Sequence, residues 1–182
     1  MENIVQTDNP VLRKTAKEVP LSEIGTPKIN KIIEEMKKAM DACDDGVAIA
    51  APQIGKSLQI FVVSPKAFIT SEEKSIEELK KIKHSVFINP KIKKLSVKTN
   101  ILDEGCLSVR GIFGKIKRAE KATIEAYDEN GKKITRGASG LLAEVFQHET
   151  DHLKGVLFTD TAVELYQVPE KDKACDDSKN EK

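Results

Sequence analysis

The sequence predicts an α+β fold, because it combines two long segments of helical pattern with several short segments of strand pattern. The helical patterns cover residues 27–43 and 140–154. The strand patterns cover residues 58–63, 87–97 and 122–136, and the last of these contains a turn. A chain of 182 residues is long enough to bury one sizeable hydrophobic core.

The first helix begins at a start signal, a threonine followed by a proline. Thr26 is suited to the N-cap and Pro27 to the first turn, where a backbone N–H is not needed. Apolar residues then recur at helical spacing, namely Ile29, Ile32, Ile33, Met36, Met40 and Cys43. The acidic pair Asp44-Asp45 and the following Gly46 predict the end of this helix.

The middle of the chain is predicted to contain two strands separated by a short helix. Residues 58–63 form a largely apolar run that is typical of a buried strand. Ser75 and Glu78 form a capping box, which predicts a short charged helix with a solvated face. The strand over 87–97 is interrupted by Pro90, which cannot donate a ladder hydrogen bond.

The last elements are a hairpin and the second helix. Residues 122–127 and 134–136 are strand-like, and Asn130-Gly131 between them predicts a tight turn. The helical pattern over 140–154 is followed by Gly155, which predicts its C-terminal end.

The composition of the chain limits its domain organisation and the kinds of partner that it can bind. We expect one catalytic domain over residues 1–166 and a charged, disordered tail over 167–182. Thirty basic and 29 acidic residues give a net charge of +1, so no direct nucleic-acid site is expected. No apolar stretch is long enough to span a membrane and no signal-peptide pattern is present, so a cytoplasmic location is expected.

The second helix carries two of the three histidines, in the pattern His148-Glu149-Thr150-Asp151-His152. Residues four apart on a helix share a face about 5–6 Å apart, so both imidazoles can reach one metal ion. Glu149 points about 100° away and can contact a metal-bound water without being a ligand. A surface helix with this spacing by accident is the alternative, and a third ligand has to distinguish the two.

Cys106 is the best candidate for that third ligand. It lies in Glu104-Gly105-Cys106-Leu107-Ser108, a short turn after an apolar strand, where a thiolate can approach a metal closely. No histidine follows His152, and the carboxylates of Asp160 and Glu164 are weaker candidates. Taken alone, Cys106 is better explained as a small buried hydrophobic residue.

A third segment of interest runs from Gly46 to Gly55 with the sequence GVAIAAPQIG. It is apolar and lacks a lysine followed by serine or threonine, so it does not predict a phosphate-binding loop. Small residues followed by Pro52-Gln53 indicate backbone that an extended ligand approaches closely, with one side-chain amide at its end. A buried strand followed by a turn is the alternative interpretation.

Together, GVAIAAPQ (46–53), EGCLS (104–108) and QHETDH (147–152) resemble the motifs of the peptide deformylases, in the same order and spacing. This family removes the formyl group from the N-terminal methionine of new bacterial and organellar polypeptides. The resemblance covers roughly residues 2–164 and implies antiparallel or mixed sheets packed around a central metal-binding helix. It further implies N-formyl-methionyl nascent peptides as substrates and a transient contact with the ribosome.

Carried over to matching positions, the resemblance assigns a role to each motif residue. Cys106, His148 and His152 would bind one divalent metal ion, expected to be Fe²⁺, with Zn²⁺, Ni²⁺ or Co²⁺ able to substitute. Glu149 would be the general acid and base. The remaining donors, the Gln53 side-chain amide and the Leu107 backbone N–H, would stabilise the oxyanion.

The substrate-binding residues are predicted from the first motif and from helix phase. Gly46, Val47 and Ala48 belong to the segment that approaches the substrate, and Leu141 and Val145 share the helix face of His148. An apolar wall at this position suits a methionine side chain, although ordinary core residues are the alternative.

Three positions depart from the family pattern. Ala48 replaces a usual glycine, Arg110 stands where proline is common, and Glu144 stands where arginine or an apolar residue is usual. We expect these changes to affect the catalytic efficiency and the preference for substrate side chains more than the reaction itself. None of the expected metal ligands or catalytic groups is missing from the sequence.

Two other functions are compatible with the metal motif. A metallopeptidase would share water activation but would cut internal peptide bonds, whereas a non-catalytic metal-binding protein would have a closed site. Glu149 and Gln53 argue against the closed site, because a structural ion needs neither a general base nor an oxyanion donor.

Overall fold

The computed structural model of the protein describes residues 4–68 and 83–168. Within these ranges it has two α-helices, α1 (Pro27–Asp41) and α2 (Leu141–Leu153). It also has eight strands, β1 (Ala48–Ala50), β2 (Ile60–Val63), β3 (Ser85–Leu95), β4 (Thr99–Cys106), β5 (Val109–Ala119), β6 (Lys121–Tyr127), β7 (Lys133–Ser139) and β8 (Glu164–Gln167).

The strands form two sheets in which all neighbours are antiparallel. The larger sheet has the order β1-β2-β3-β6-β7, and the smaller sheet has the order β4-β5-β8. A single parallel bridge joins Lys17 and Leu58 outside these strands. The prediction of an α+β fold with antiparallel sheets is confirmed.

Helix α1 begins where the sequence predicts and ends earlier. Thr26 occupies the N-cap position, but its hydroxyl donates to the Glu23 carbonyl rather than capping the helix. The helix ends at Asp41, because the Cys43 N–H bonds to the Met40 carbonyl and starts a turn. The predicted extension of the helix to residue 43 is therefore wrong, although the Cys43 side chain is buried.

Strand β3 accommodates its proline through a bulge. The register shifts between Ile88 and Lys91, and Asn89 takes a positive φ of 50°. The Asn89 side chain accepts from the Val19 N–H and donates to the Val19 carbonyl, both at 2.8 Å. The interruption predicted from Pro90 is thus a local irregularity inside one continuous strand.

The predicted hairpin is confirmed, whereas the β4–β5 pair was only partly foreseen. Strands β6 and β7 pair along their whole length around Gly131, whose φ is 78°. Strands β4 and β5 have 8 and 11 residues, but the sequence predicted only an apolar strand before Cys106. Most of β4 is exposed, so its sequence lacks the apolar run from which a buried strand is recognised.

Helix α2 lies within one residue of its predicted bounds and packs against the larger sheet. Its contacts include β1, β3, β6 and β7, and it also touches β5 of the smaller sheet. The fully buried Phe146 ring lies 5.1 Å from the Phe87 ring and 6.2 Å from the Phe61 ring. This anchoring fixes which face of α2 is turned away from the sheet.

Two predictions fall at or beyond the edges of the described ranges. The helix predicted around Ser75 and Glu78 and the tail from residue 169 lie outside them. The division into a domain over 1–166 and a tail over 167–182 stays a prediction, and β8 ends at Gln167. Neither described helix has the length and hydropathy needed to cross a membrane.

Candidate metal centre and active-site cleft

Three predicted metal ligands converge from two elements, the end of β4 and the C-terminal half of α2. The donor atoms of Cys106, His148 and His152 all lie within 4.8 Å of one another. Cys106 Sγ is 3.2 Å from His152 Nε2, and the two imidazole centroids are 4.9 Å apart. Asp160 instead forms an ion pair with Arg13, and Glu164 forms one with Lys115. The arrangement can therefore hold one metal ion with one sulfur and two nitrogen ligands.

Cys106 is positioned by the turn that joins β4 to β5. Cys106 pairs with Val109 across this turn, and the Ser108 N–H points at Cys106 Sγ from 3.4 Å. Gln53 Nε2 lies 3.5 Å from the same sulfur. Gly105 is required beside it, because a Cβ there would lie 2.8 Å from the Phe113 ring. Two N–H donors thus face the Cys106 sulfur.

His148 is oriented by a buried carboxylate. Its Nδ1 lies 3.0 Å from Glu104 Oε2, which leaves Nε2 available to a metal ion. Arg118 in turn donates to both oxygens of Glu104, at 2.6 and 3.0 Å, and to Asp151 at 2.6 Å. Burial opposes the charged form of Glu104, but the hydrogen bonds from His148 and Arg118 outweigh it and lower its pKa to about 2.

The supporting residues Arg118 and Asp151 were missed at the sequence level. Arg118 is only 7% exposed, and it follows the inward-facing Ile116, which is 1% exposed, at the two-residue spacing of a strand. The sequence did contain a signal for this pair. Arg118 is a charged residue at an inward-facing position of a strand, and such a residue requires a buried partner of opposite charge.

Glu149 is a buried carboxyl group beside the predicted metal ligands. Its side chain is 3% exposed, and within residues 4–68 and 83–168 its Oε2 has no hydrogen-bond partner. Burial raises the pKa of Glu149 to about 7, against an opposing effect of the neighbouring His148. A carboxyl group with this pKa can accept and release a proton near neutral pH.

The two predicted oxyanion donors lie next to Cys106. Gln53 is held at one end because its Oε1 accepts from the Ala50 N–H at 2.8 Å, and its Nε2 donates to Ser108 Oγ at 3.2 Å. Leu107 follows Cys106 in the turn, and its carbonyl accepts from the Gln6 side chain. Gln53 and Leu107 both line the cleft that also contains His148 and Glu149.

Four of the five predicted substrate-binding residues line this cleft, namely Val47, Ala48, Leu141 and Val145. Gly46 does not line it. A Cβ on Gly46 would lie 2.2 Å from the Met40 carbonyl oxygen, so the glycine permits close packing against the end of α1. Contact of Gly46 with substrate stays a prediction.

Several cleft residues lie outside the predicted set. The Arg110 guanidinium pairs with the Asp45 carboxylate at 2.9 Å at the cleft, and Ile112 and Phe113 of β5 contribute apolar surface. Glu144 of α2 also faces the cleft, and burial together with the nearby Glu104 raises its pKa to about 7. Arg110 and Glu144 are two of the positions at which the sequence departs from the family pattern.

Comparison with known proteins supports the resemblance drawn from the motifs. The chain is 41% identical over 164 residues to peptide deformylase 1A, chloroplastic, of Solanum lycopersicum, covering 88% of this chain and 59% of that protein. The chain thus spans about three fifths of the length of this plant relative. It is 37% identical to peptide deformylase 2 of Clostridium acetobutylicum, covering 90% of this chain and 97% of that protein.

Solved structures give the same result. The crystal structure of peptide deformylase from Thermotoga maritima matches with a TM-score of 0.75 and 34% identity, covering 90% of this chain and 99% of that chain. A Met-Ala-Ser-bound class I type b peptide deformylase from Acinetobacter baumannii matches with a TM-score of 0.74 and 26% identity, covering 87% and 96%. The family model of polypeptide deformylase matches residues 1–168. The chain therefore belongs to the polypeptide deformylase family.

Proposed function

We propose that this protein is a metal-dependent hydrolase that removes the formyl group from the N-terminal formyl-methionine of newly synthesised polypeptides. The observation that carries the proposal is the convergence of the Cys106, His148 and His152 donor atoms within 4.8 Å in a cleft. Beside them lies Glu149, whose Oε2 has no hydrogen-bond partner among the described residues. The related structure with Met-Ala-Ser bound supports a cleft that takes the N-terminus of a peptide.

The donor set fits a divalent metal ion. Three protein ligands with an open position are typical of catalytic rather than structural sites, and His148 presents Nε2 because Glu104 holds its Nδ1. One thiolate and two imidazoles suit both zinc and ferrous iron. We infer Fe²⁺ as the ion, with Zn²⁺, Ni²⁺ or Co²⁺ able to substitute. In this proposal α2 is the central metal-binding helix of the fold.

Glu149 moves the proton in the reaction. A bound divalent ion supplies Lewis-acid activation, which lowers the pKa of water to about 7. Glu149 Oε2 accepts the proton of the attacking water, a role supported by the absence of any competing donor among the described residues. The new C–O bond forms at the formyl carbon. Glu149 then returns the proton to the amine nitrogen as the C–N bond breaks, giving formate and a free α-amino group.

Gln53 and Leu107 stabilise the charge that develops on the formyl oxygen. The Gln53 amide is fixed by the Ala50 N–H, so its Nε2 is preorganised to donate. The Leu107 backbone N–H is the second donor. Each such donor contributes about 3–4 kcal/mol to the transition state in comparable acyl-transfer sites.

The methionine side chain is received by an apolar wall. Val47, Ala48, Leu141 and Val145 line the cleft on the side of α2 and β1, within one or two helical turns of the ligands. The protein would meet its substrates in the cytoplasm as nascent chains leave the ribosome, through a transient contact. A substrate of this kind requires no nucleic-acid site and no membrane.

The decisive experiment measures formate release from formyl-Met-Ala-Ser by protein loaded anaerobically with iron or nickel. Wild type and Glu34→Gln, which changes an exposed carboxylate on α1, should release formate, whereas Glu149→Gln should not. Cleavage of internal bonds in an unformylated peptide would indicate a metallopeptidase instead. Bound metal without any turnover would indicate a non-catalytic site.

A further inference from the structure

Two exposed lysines lie on the side of the strands that is turned away from α2. In β5, Arg118 points towards α2, since it donates to Asp151 of that helix. In β6, Ala122 belongs to the buried cluster that α2 covers. Successive side chains of a strand point to opposite faces, so the residues just before these two, Lys117 and Lys121, point away from α2.

The neighbouring strands extend this pair into a row. Lys94 of β3 pairs with Thr123, which lies two residues after Lys121 in β6, so Lys94 shares the side of Lys121. Further lysines flank it in β3 and in the bend between β3 and β4. The row, here named the basic strip, consists of six exposed lysines, namely Lys91, Lys93, Lys94, Lys98, Lys117 and Lys121.

Most of the charge in the basic strip is not compensated locally. Lys91 pairs with Glu18 at 3.2 Å, and Lys98 pairs with Glu120 at 2.7 Å. Among the residues that the structure describes, no carboxylate forms an ion pair with the other four lysines. The whole chain has a net charge of only +1, so positive charge is concentrated here and acidic residues prevail elsewhere. The overall charge, from which no nucleic-acid site was expected, averages over this segregation.

Protection of a sheet edge does not account for the basic strip. Lysines on an edge strand hinder pairing with other chains, which explains lysines in the exposed part of β3. Lys121, however, pairs with Ser139 of β7 on one side and receives a bond from Ser96 on the other. Lys117 belongs to β5, the central strand of the smaller sheet. These two lysines lie inside the sheets, where no edge needs protection.

A row of lysines on rigid strands favours a ligand with regularly repeated anions. Side chains two apart on a strand are about 6.6–7 Å apart, and each lysine can bind one phosphate as a point charge. Residues 91–101 and 117–122 contain no aromatic side chain, so they offer no platform on which the bases of a single strand could stack. A double-helical RNA instead presents its phosphates outwards and is recognised largely by shape and backbone contacts.

The exposed apolar side chains nearby do not form a face that could enter a membrane. Val97 is fully exposed at the bend between β3 and β4. Leu95 pairs with Ala122 and so lies on the side of α2, whereas Ile101 pairs with Lys117 on the opposite side. A segment that lies in a membrane interface needs its apolar residues on one face. The charge pattern therefore favours RNA over an anionic bilayer.

We propose that the basic strip is a docking surface for double-helical RNA, which it binds through phosphates and without base specificity. Resting on the proposed function, this surface makes the transient contact with the ribosome through ribosomal RNA. Strand β4 separates the strip from the metal ligands, because Thr99 and Cys106 at its two ends are about 23 Å apart at about 3.3 Å per residue. Docking at the strip therefore leaves the cleft open to a peptide.

The test measures binding of a fluorescent RNA duplex of about 16 base pairs by anisotropy, between about 50 and 200 mM salt. For wild type, the logarithm of the association constant should fall against the logarithm of salt with a slope of about −3 to −4. The variant Lys94→Gln/Lys117→Gln/Lys121→Gln should bind at least about tenfold more weakly, with a slope about 2–3 smaller in magnitude. Lys121→Gln alone should reduce the slope by about one.

The matched control is Lys28→Gln/Lys31→Gln/Lys38→Gln, which removes the same charge from exposed positions of α1. It should bind the duplex within about threefold of wild type, since exposed charges outside the contact are screened by salt. Both triple variants should keep the wild-type Tm and the wild-type formate release from formyl-Met-Ala-Ser, because neither touches the cleft.

The inference is overturned if wild type does not bind the duplex at low salt, or if the strip variant binds it as tightly as the α1 control. Tighter binding of a single-stranded RNA of the same length would overturn the assignment to a double helix. Binding of anionic vesicles without binding of RNA would assign the strip to a membrane and overturn it as well. RNA binding through the strip by a protein that releases no formate would uphold the inference while the proposed function fails.

Discussion

Replacing Arg118 with methionine should destabilise the protein more than any single change at its surface. The Arg118 side chain is buried between β5 and α2 and donates to the carboxylates of Glu104 and Asp151. Methionine keeps much of the side-chain volume but removes the charge and the donors. Glu104 is 2% exposed, and of its partners among the described residues it would then keep only His148.

The pKa of Glu104 gives the size of the effect. Its fall from 4.5 to about 2 corresponds to about 3 kcal/mol of stabilisation at neutral pH, shared between His148 and Arg118. Arg118 also pairs with Asp151, so the loss of this second ion pair adds to the free energy of unfolding that Arg118→Met removes. Breaking one side of a buried ion pair costs about 3–5 kcal/mol in other proteins, so we expect a loss of about 3 kcal/mol.

Urea unfolding of the metal-loaded protein measures this loss. With a slope of about 2 kcal/mol per molar urea, the midpoint should fall by about 1.5 M. Because the folded-state pKa of Glu104 is depressed, its contribution is complete above about pH 4.5 and is lost as the pH falls towards 2. The difference between wild type and Arg118→Met should therefore shrink over this range.

The matched control is Arg13→Met, which breaks a pair with Asp160 whose side chains are 45% and 39% exposed. It should cost less than about 1 kcal/mol. Adding Glu104→Gln to Arg118→Met should recover part of the stability, because it removes the stranded charge. If Arg118→Met costs no more than Arg13→Met at pH 7, the buried pair does not stabilise the fold and the reasoning is refuted.

Three further outcomes are expected. Val145→Phe should raise KM for formyl-methionyl peptides severalfold with little change in kcat, and an unchanged KM would remove Val145 from the pocket. Phe146→Ala should cost about 3–5 kcal/mol in urea unfolding, since its ring is fully buried against Phe61 and Phe87, and a loss under 1 kcal/mol would contradict this packing. A chelator should lower the Tm of wild type but not of Cys106→Ala, and equal shifts would exclude Cys106 as a ligand.

The local sequence pattern was sufficient to predict those helices and strands whose residues follow a single hydrophobic periodicity. The bounds of α2 and the hairpin around Gly131 were predicted closely, because each depends on neighbours within a few residues. The strands β4 and β5 were largely missed, since their exposed polar residues give no clear alternation. The end of α1 was placed two residues late, because an apolar Cys43 continues the helical spacing after the hydrogen-bonded helix has ended.

The sequence by itself determined which residues are proposed as the reacting groups, because ligand type and helical spacing are local properties. His148, Glu149 and His152 share one helix, and their relative positions follow from its geometry. The tertiary structure decided what depends on distant segments coming together. It brings Cys106 to that helix, encloses Glu104 with Arg118, and places Glu144 on the wall of the cleft. Such contacts are set by strand register and packing, which no local pattern specifies.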